Sequence, residues 1–275
     1  MKIGITGAHG YVGSYLAKYL EQENFHVIPF VRSAKKAKER SYHLEKLSID
    51  LSEVDCLIHC AYSFTCPDNL SQQMNVSSVA YLSQKCLEQN VRLILISSLS
   101  ASPMTRSKYG QEKIAAEKIV MKSGKADVIR IGLFYSEKCK GMLGSIVSLI
   151  KYLPVVPIIA SHSKQYTCYG DDLCQLLKKI LASPPGKIWI ASEREGIKFG
   201  QLIKQITKEK SYKRLLIPIP TQCVFWGLKF LQMIGYKGRI RADAIYGLID
   251  PPDPKSLEEE NYRKNFRSFK PHLLS

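Results

Sequence analysis

The sequence is short of acid. Its 24 aspartates and glutamates face 40 lysines and arginines, a formal net charge of +16 over 275 residues. Such a balance favours anionic partners: nucleotides, nucleic acids or acidic membrane surfaces. The basic residues are scattered, with one denser cluster from Arg32 to Arg40, and no RNA- or DNA-binding signature accompanies them. Most of the charge therefore reads as solvated surface, and no nucleic-acid partner is expected. CxxC pairs are also lacking. The eight cysteines (Cys56, Cys60, Cys66, Cys86, Cys139, Cys168, Cys174 and Cys223) form none, and no second pair answers the Cys56–Cys60 spacing. No metal site is expected. Cys56 and Cys60 sit in an apolar run and read as small core residues, and the usage suits a reducing cytoplasm. Nor is there a long uninterrupted apolar run. Residues 142–160 come nearest, but Lys151, Pro154 and Pro157 interrupt them and argue against a spanning helix. The N-terminal apolar run is too short for a signal peptide and leads directly into glycines. Residues 223–236 are shorter than a bilayer crossing and contain Lys229. They read as a core or interface helix, with an amphipathic helix resting on a membrane or another subunit as the other reading.

What is present is alternation. Short apolar runs at 2–6, 26–31, 54–60, 91–98 and 127–131 are separated by helical patterns at 12–23, 69–89 and 107–121. Continuous apolar strands between helices predict a parallel sheet covered on both faces, an α/β doubly wound fold of the Rossmann type. Beyond about residue 133 the pattern loosens. A helix end and short strand in "KYLPVVPIIA", a helix at 171–181, and segments at 187–191, 197–207 and 215–219 suggest a smaller mixed α/β region. The expected division is 1–135 for a dinucleotide-binding domain and 136–275 for a substrate region partly interleaved with it. The tail from Asp250, with its prolines and charged run, reads as loop and surface helix. No internal repeat is found.

The stretch "GITGAHGYVG" places Gly4, Gly7, Gly10 and Gly13 at every third position, Gly4 within the first apolar run and the others after it, where the strand gives way to an amphipathic helix. Such a turn suits a pyrophosphate. Glycine permits the tight turn and the close approach of backbone, and the helix N-terminus supplies N–H groups and partial positive charge. Dinucleotide sites usually carry an acid at the end of the second strand for the ribose 2′-hydroxyl. Here the segment reads "FVRS", with Arg32 in place of an acid and Lys35 and Lys36 soon after. A guanidinium can fork a 2′-phosphate that a carboxylate would repel. NADP(H) is therefore favoured over NAD(H), against the blander reading of Arg32 as a solvated charge. Asp50 and Leu51 are candidates to lie beside the adenine.

A second constellation follows. Ser98 closes the strand "LILISS", and Tyr109 and Lys113 in "YGQEK" are four apart, on one face of a helix. Strand end and following helix can bring all three to the mouth of the sheet, where open α/β folds bind ligands. A free tyrosine titrates near 10, and a nearby ammonium lowers that value by stabilising phenolate. Tyr109 can then exchange a proton with a substrate hydroxyl or carbonyl as hydride moves to or from a nicotinamide. Ser98 can hydrogen-bond the same oxygen, and Lys113 can also hold the nicotinamide ribose.

"TGAHGYVG", "VDCLIHCAY", "MNVSSVAYL", "LISS", "YGQEK" and "VIRIGLFYS" together resemble the short-chain dehydrogenase/reductase superfamily. Their order and spacing are similar to its extended branch, the NAD(P)-dependent epimerase/dehydratase family acting on nucleotide-activated sugars. The resemblance is specific over roughly residues 1–135, and "QYTCYGDDLCQLLKKI" resembles a later family element. It implies a catalytic trio of Ser98, Tyr109 and Lys113. It implies a cofactor site made by Gly7, His9, Gly10, Tyr11, Val12, Gly13, Arg32, Asp50, Leu51 and Ala61 together with Tyr109 and Lys113. Asn75 falls where the family often has a central-helix asparagine. Leu99 and Ser100 occupy the positions where the family's dehydratases carry an Asp-Glu pair, so dehydration is disfavoured. The resemblance thus implies an NADP(H)-dependent oxidoreductase, a keto-sugar reductase or a 4-epimerase, with a non-catalytic NADP-binding protein as the reading from another class. A helix pair between 69–89 and 107–121 could form a homodimer, as related folds do.

Overall fold

In a computed structural model the described residues are 1–64, 68–233, 242–249, 252 and 261–274. The chain forms two compact units that alternate along the sequence. The first comprises Met1–Ser98, Glu112–Ile131 and Leu173–Ile190; the second comprises Leu99–Gln111, Gly132–Asp172 and Ala191–Ser275.

The first unit is built on a seven-stranded sheet. In chain order its elements are β1 (Lys2–Thr6), α1 (Tyr11–Gln22), β2 (His26–Val31), β3 (Arg40–Ser41), β4 (Cys56–His59), α2 (Asp68–Glu88), β5 (Arg92–Ser98), α3 (Lys108–Met121) and β6 (Ala126–Ile131). After an excursion into the second unit, the chain returns through α5 (Gly170–Leu181) and β11 (Ile188–Ala191). The sheet order is β11-β6-β5-β4-β1-β2-β3. The pairings from β3 to β6 are all parallel. The amides of Val128 and Gly132 donate to the Lys187 and Ala191 carbonyls, 3.0 and 2.9 Å away, continuing the same sense into β11. The doubly wound parallel sheet expected from the continuous apolar strands is thus observed. Strand order reverses between β1 and β4, the place where open α/β sheets bind ligands at their carboxyl ends.

Burial explains these elements. In β1, Ile3 and Ile5 are wholly buried. In α1, Gly13, Leu16 and Leu20 form the buried stripe, spaced three and four apart as one helix face requires. Ile28, Phe30, Leu57, Val79, Leu82, Leu93, Leu95 and Val128 belong to one core cluster. Cys56, beside Leu57 in β4, is also buried, and burial pushes its thiol up to about 12.

The second unit carries β7 (Leu133–Tyr135), α4 (Gly141–Tyr152), β8 (Val155–Ile158), β9 (Lys164–Gln165), β10 (Thr167–Tyr169), β12 (Ile197–Lys198), α6 (Phe199–Glu209), β13 (Leu215–Pro218), α7 (Thr221–Met233) and α8 (Ala242–Ile249). Its strands pair two by two: β7 with β10, β9 with β12, and β8 with β13. Phe199, Leu202, Ile203 and Ile206 give α6 its apolar face against Leu143, Ile150 and Val156. The helix expected at 223–236 is seen as α7 up to Met233, and the remainder lies outside the described residues, as do Cys66 and most of 250–260.

The tail corrects the expectation of a surface segment. Arg263 is almost wholly buried and donates to the Glu193 carbonyl at 2.6 Å and to Ser192 Oγ at 3.3 Å. Phe269 and Leu274 join the second core. A buried guanidinium is tolerated because it finds acceptors, which a count of charges along the chain does not reveal. Among the described residues no helix is long and apolar enough to cross a membrane.

Candidate active site

The glycine turn lies in the first unit, between β1 and α1. Gly7 has φ +67°, a conformation that disfavours side chains, and a Cβ there would lie 2.8 Å from the Ala61 nitrogen. A Cβ on Gly13 would lie 2.3 Å from the Gly7 oxygen. Both positions therefore demand glycine for the turn to close on its own backbone and on Ala61. The Gly10 N–H donates to the Gly7 oxygen at 2.8 Å, and Gly10 is the N-cap of α1. Tyr11, Val12 and Gly13 form the first turn of α1, which holds no acid, and the cap makes no side-chain hydrogen bond. A helix start of this kind favours an anion.

Beneath the turn, Thr6 Oγ1 meets His59 Nδ1 at 2.7 Å and accepts the Ala61 N–H at 3.4 Å. Burial pushes His59 down to about 3, so the ring is neutral and serves as a packing and hydrogen-bonding group.

Arg32 follows β2 and is exposed, as are Lys35 and Lys36. Among the described residues none of these three side chains has an ion-pair partner. The loop is shaped by Glu39, which the sequence reading passed over. Its carboxylate accepts the Lys35 N–H at 2.8 Å and the Lys36 N–H at 3.2 Å, and meets His9 Nε2 at 3.0 Å. The Lys35 N–H, with His9 and the Lys36 N–H, holds its carboxyl below the usual range. The available signal was that Glu39 is the single acid within the cluster from Arg32 to Arg40. Asp50 is turned to Arg40, whose Nη1 lies 3.4 Å from Oδ2, and accepts the Ser52 N–H at 3.0 Å. The Leu51 side chain is committed to the core, so a ligand at that position would meet main chain.

This set of groups fits a dinucleotide: a turn closed by glycine and an anion-favouring helix start, with exposed cations after β2.

Ser98 is the last residue of β5, in register with Ile131 of β6, and is half-buried. Tyr109 and Lys113 stand one turn apart on α3. Ser107 caps that helix, its Oγ accepting the Gly110 N–H at 3.0 Å. A Cβ on Gly110 would lie 2.3 Å from the Ser100 oxygen and 2.5 Å from Thr105 Oγ1. Loop 99–107 therefore packs directly on the first turn of α3, and the glycine of "YGQEK" is what lets it. Lys113 is buried. Its Nζ donates to the Ile96 oxygen in β5 at 2.9 Å and lies 5.1 Å from the centre of the Tyr62 ring. Burial pushes it down to about 8.

Asn75 is buried as well. Its Oδ1 accepts the Ser63 N–H at 3.0 Å, and its Nδ2 donates to the Ser63 oxygen at 3.1 Å and to Glu112 Oε2 at 3.0 Å. Glu112 also accepts the Tyr62 hydroxyl at 2.7 Å. Asn75 and Glu112 thus pin the segment after β4 next to Lys113. Tyr62 and Glu112 were missed from sequence because their partners lie 50 and 37 positions away. A surface hollow of about 240 Å³, lined by Cys86, Arg92, Lys125 and Pro185 among others, lies at the amino ends of β5 and β6, away from Ser98.

The sequence pattern of the RmlD substrate-binding domain family matches residues 1–222. The chain belongs to that family. Membership bears out the expectation of the extended short-chain dehydrogenase/reductase branch. No curated protein matches this RmlD-family sequence. Among solved structures it is similar to dTDP-4-dehydrorhamnose reductase from Bacillus anthracis in complex with NADP, at 17% identity and TM-score 0.68, covering 89% of this chain and 96% of that one. It is also similar to UDP-glucose 4-epimerase from Thermotoga maritima with UDP-glucose, at 16% identity and TM-score 0.68, covering 80% and 86%. A third is a short-chain dehydrogenase/reductase superfamily protein from Agrobacterium tumefaciens with bound NAD, at 14% identity and TM-score 0.66, covering 90% and 96%. At such identities the likeness is one of fold.

Proposed function

We propose that this RmlD-family protein is an NADP(H)-dependent oxidoreductase that reduces the keto group of a nucleotide-activated sugar. The observation that carries the reading is the order of three residues: Ser98 at the carboxyl end of β5, then Tyr109 and Lys113 one turn apart on α3. In this reading residues 1–135 hold the dinucleotide and 136–275 hold the sugar. NADPH supplies a hydride when bound. Tyr109 gives its hydroxyl proton to the substrate oxygen, and Ser98 donates a hydrogen bond to that oxygen. Lys113, pushed down to about 8, is still mostly an ammonium at neutral pH, and its charge eases proton release from Tyr109. Its Nζ donates a hydrogen bond to the Ile96 oxygen, which anchors the side chain to β5. Gly7, His9, Gly10, Tyr11, Val12 and Gly13 receive the pyrophosphate, Arg32 forks the 2′-phosphate, and Ala61 and main chain at Asp50 and Leu51 flank the nucleoside.

Support for 4-epimerisation as a second reading comes from the equal TM-scores of the Thermotoga epimerase and the Bacillus reductase. A panel of UDP- and dTDP-linked keto-sugars, followed by NADPH absorbance and product NMR, separates the two. Reduction consumes NADPH stoichiometrically. Epimerisation interconverts sugars without net consumption. Tight NADPH binding with neither outcome on any substrate would favour a non-catalytic NADP-binding protein and refute the reductase.

A further inference from the structure

From the outer face of the small parallel sheet in the second unit, we infer that the protein docks on anionic membrane surfaces. Strands β8 and β13 pair in the register Val155↔Leu215, Val156↔Leu216 and Pro157↔Ile217. One face is ordinary: Val156, Ile158 and Leu216 pack into the second core. A sheet with one covered face normally turns polar residues outward. Here the outward residues are Val155, Pro157, Leu215 and Ile217, and Leu215 is 60% exposed. Just before β8 stand Leu153 and Tyr152, the latter 74% exposed. Three residues after β13 the chain enters α7, where Trp226, 66% exposed, and Met233 are seven apart and so share a helix face.

The charge around this apolar surface decides its partner. From Lys138 to Gly170 the sequence has four lysines and no acid; from Lys210 to Met233 it has four basic residues and no acid. Both strands and α7 fall inside these stretches, although the whole chain carries 24 acids. Arg214 binds the two edges together, donating to the Ile150 and Lys151 oxygens at 2.8 Å each. Exposed aliphatics and a tryptophan rimmed by lysine are the composition of an interfacial, lipid-facing surface. A second copy of the chain would bring its own Lys151, Lys213 and Arg214 against the same cations, so self-association through this face is opposed by like charge.

The test is co-sedimentation of the full-length protein with phosphatidylcholine vesicles, with and without phosphatidylglycerol, alongside tryptophan emission. Binding to the phosphatidylglycerol vesicles alone is expected. It should weaken with salt and bring a blue shift from Trp226, since Trp189 is already buried. The double variant Leu215→Ser/Ile217→Ser should lower the partition coefficient roughly tenfold or more, and Lys151→Glu/Lys213→Glu should lower it comparably. All four side chains are exposed, or nearly so, and circular dichroism checks that the fold is kept. Wild-type protein that stays in the supernatant with both vesicles overturns the inference. So does binding that both double variants retain in full. A wild-type dimer that Leu215→Ser/Ile217→Ser dissociates would assign the face to a second copy and equally overturn it.

Discussion

Replacing Lys113 by methionine should stabilise the fold while disabling the site. Burial pushes the ammonium from 10.5 to about 8, so keeping it charged in the fold at neutral pH costs roughly 3 kcal/mol, at about 1.4 kcal/mol per pH unit. Methionine fills a similar volume without charge. It forfeits the hydrogen bond to the Ile96 oxygen, worth about 1 kcal/mol. The net expectation for Lys113→Met at pH 7 is a gain of roughly 2 kcal/mol, read as a rise in the urea midpoint at unchanged slope. The pH dependence carries the sign. Between about 8 and 10.5 the wild-type native state has released the proton that its unfolded state still holds, so wild-type stability rises with pH across that window. The gap between variant and wild type should therefore be full at pH 7 and narrow toward pH 10.5. A variant less stable than wild type at pH 7 would refute this account of Lys113, and so would a gap that stays constant across the window.

Three further outcomes are expected. Arg32→Ala should weaken NADPH binding about tenfold or more and leave NADH binding nearly unchanged, as isothermal titration would read; equal losses for both would remove the 2′-phosphate role. Gly13→Ala places a methyl against the Gly7 oxygen, and should cost on the order of 2–4 kcal/mol in chemical denaturation and abolish dinucleotide binding. Glu39→Gln keeps the acceptor for the Lys35 N–H but removes the charge facing His9. NADPH affinity should hold or rise in that variant while thermal stability falls slightly, and a marked loss of affinity would show that the loop needs the carboxylate.

Much of the first unit was legible because its strands are buried on both faces and so read as continuous apolar runs. Strands β1 and β2 coincide with the expected 2–6 and 26–31, and the remaining large elements agree to within two residues. Strand β3 was not legible, since Arg40 and Ser41 are polar and owe their extended state to pairing with Phe30 and Val31. In the second unit the short strands β7, β9 and β10 carry two or three residues each, below the length at which alternation can be read. The candidate site divides in the same way. Gly7, Gly13, Arg32, Ser98, Tyr109 and Lys113 are spaced by local rules and were visible. Glu39, Tyr62 and Glu112 act through partners brought near by the fold, and the demand for Gly110 comes from loop 99–107 folding back on α3.

The central claim is that Tyr109 is the proton donor of an NADPH-dependent reduction. The most direct measurement is single-turnover reduction of a nucleotide keto-sugar by wild type and by Tyr109→Phe, with NADPH affinity measured in parallel. The account predicts a rate lower by about 10²–10⁴ in the variant with cofactor affinity preserved. Reduction by Tyr109→Phe at the wild-type rate would contradict it.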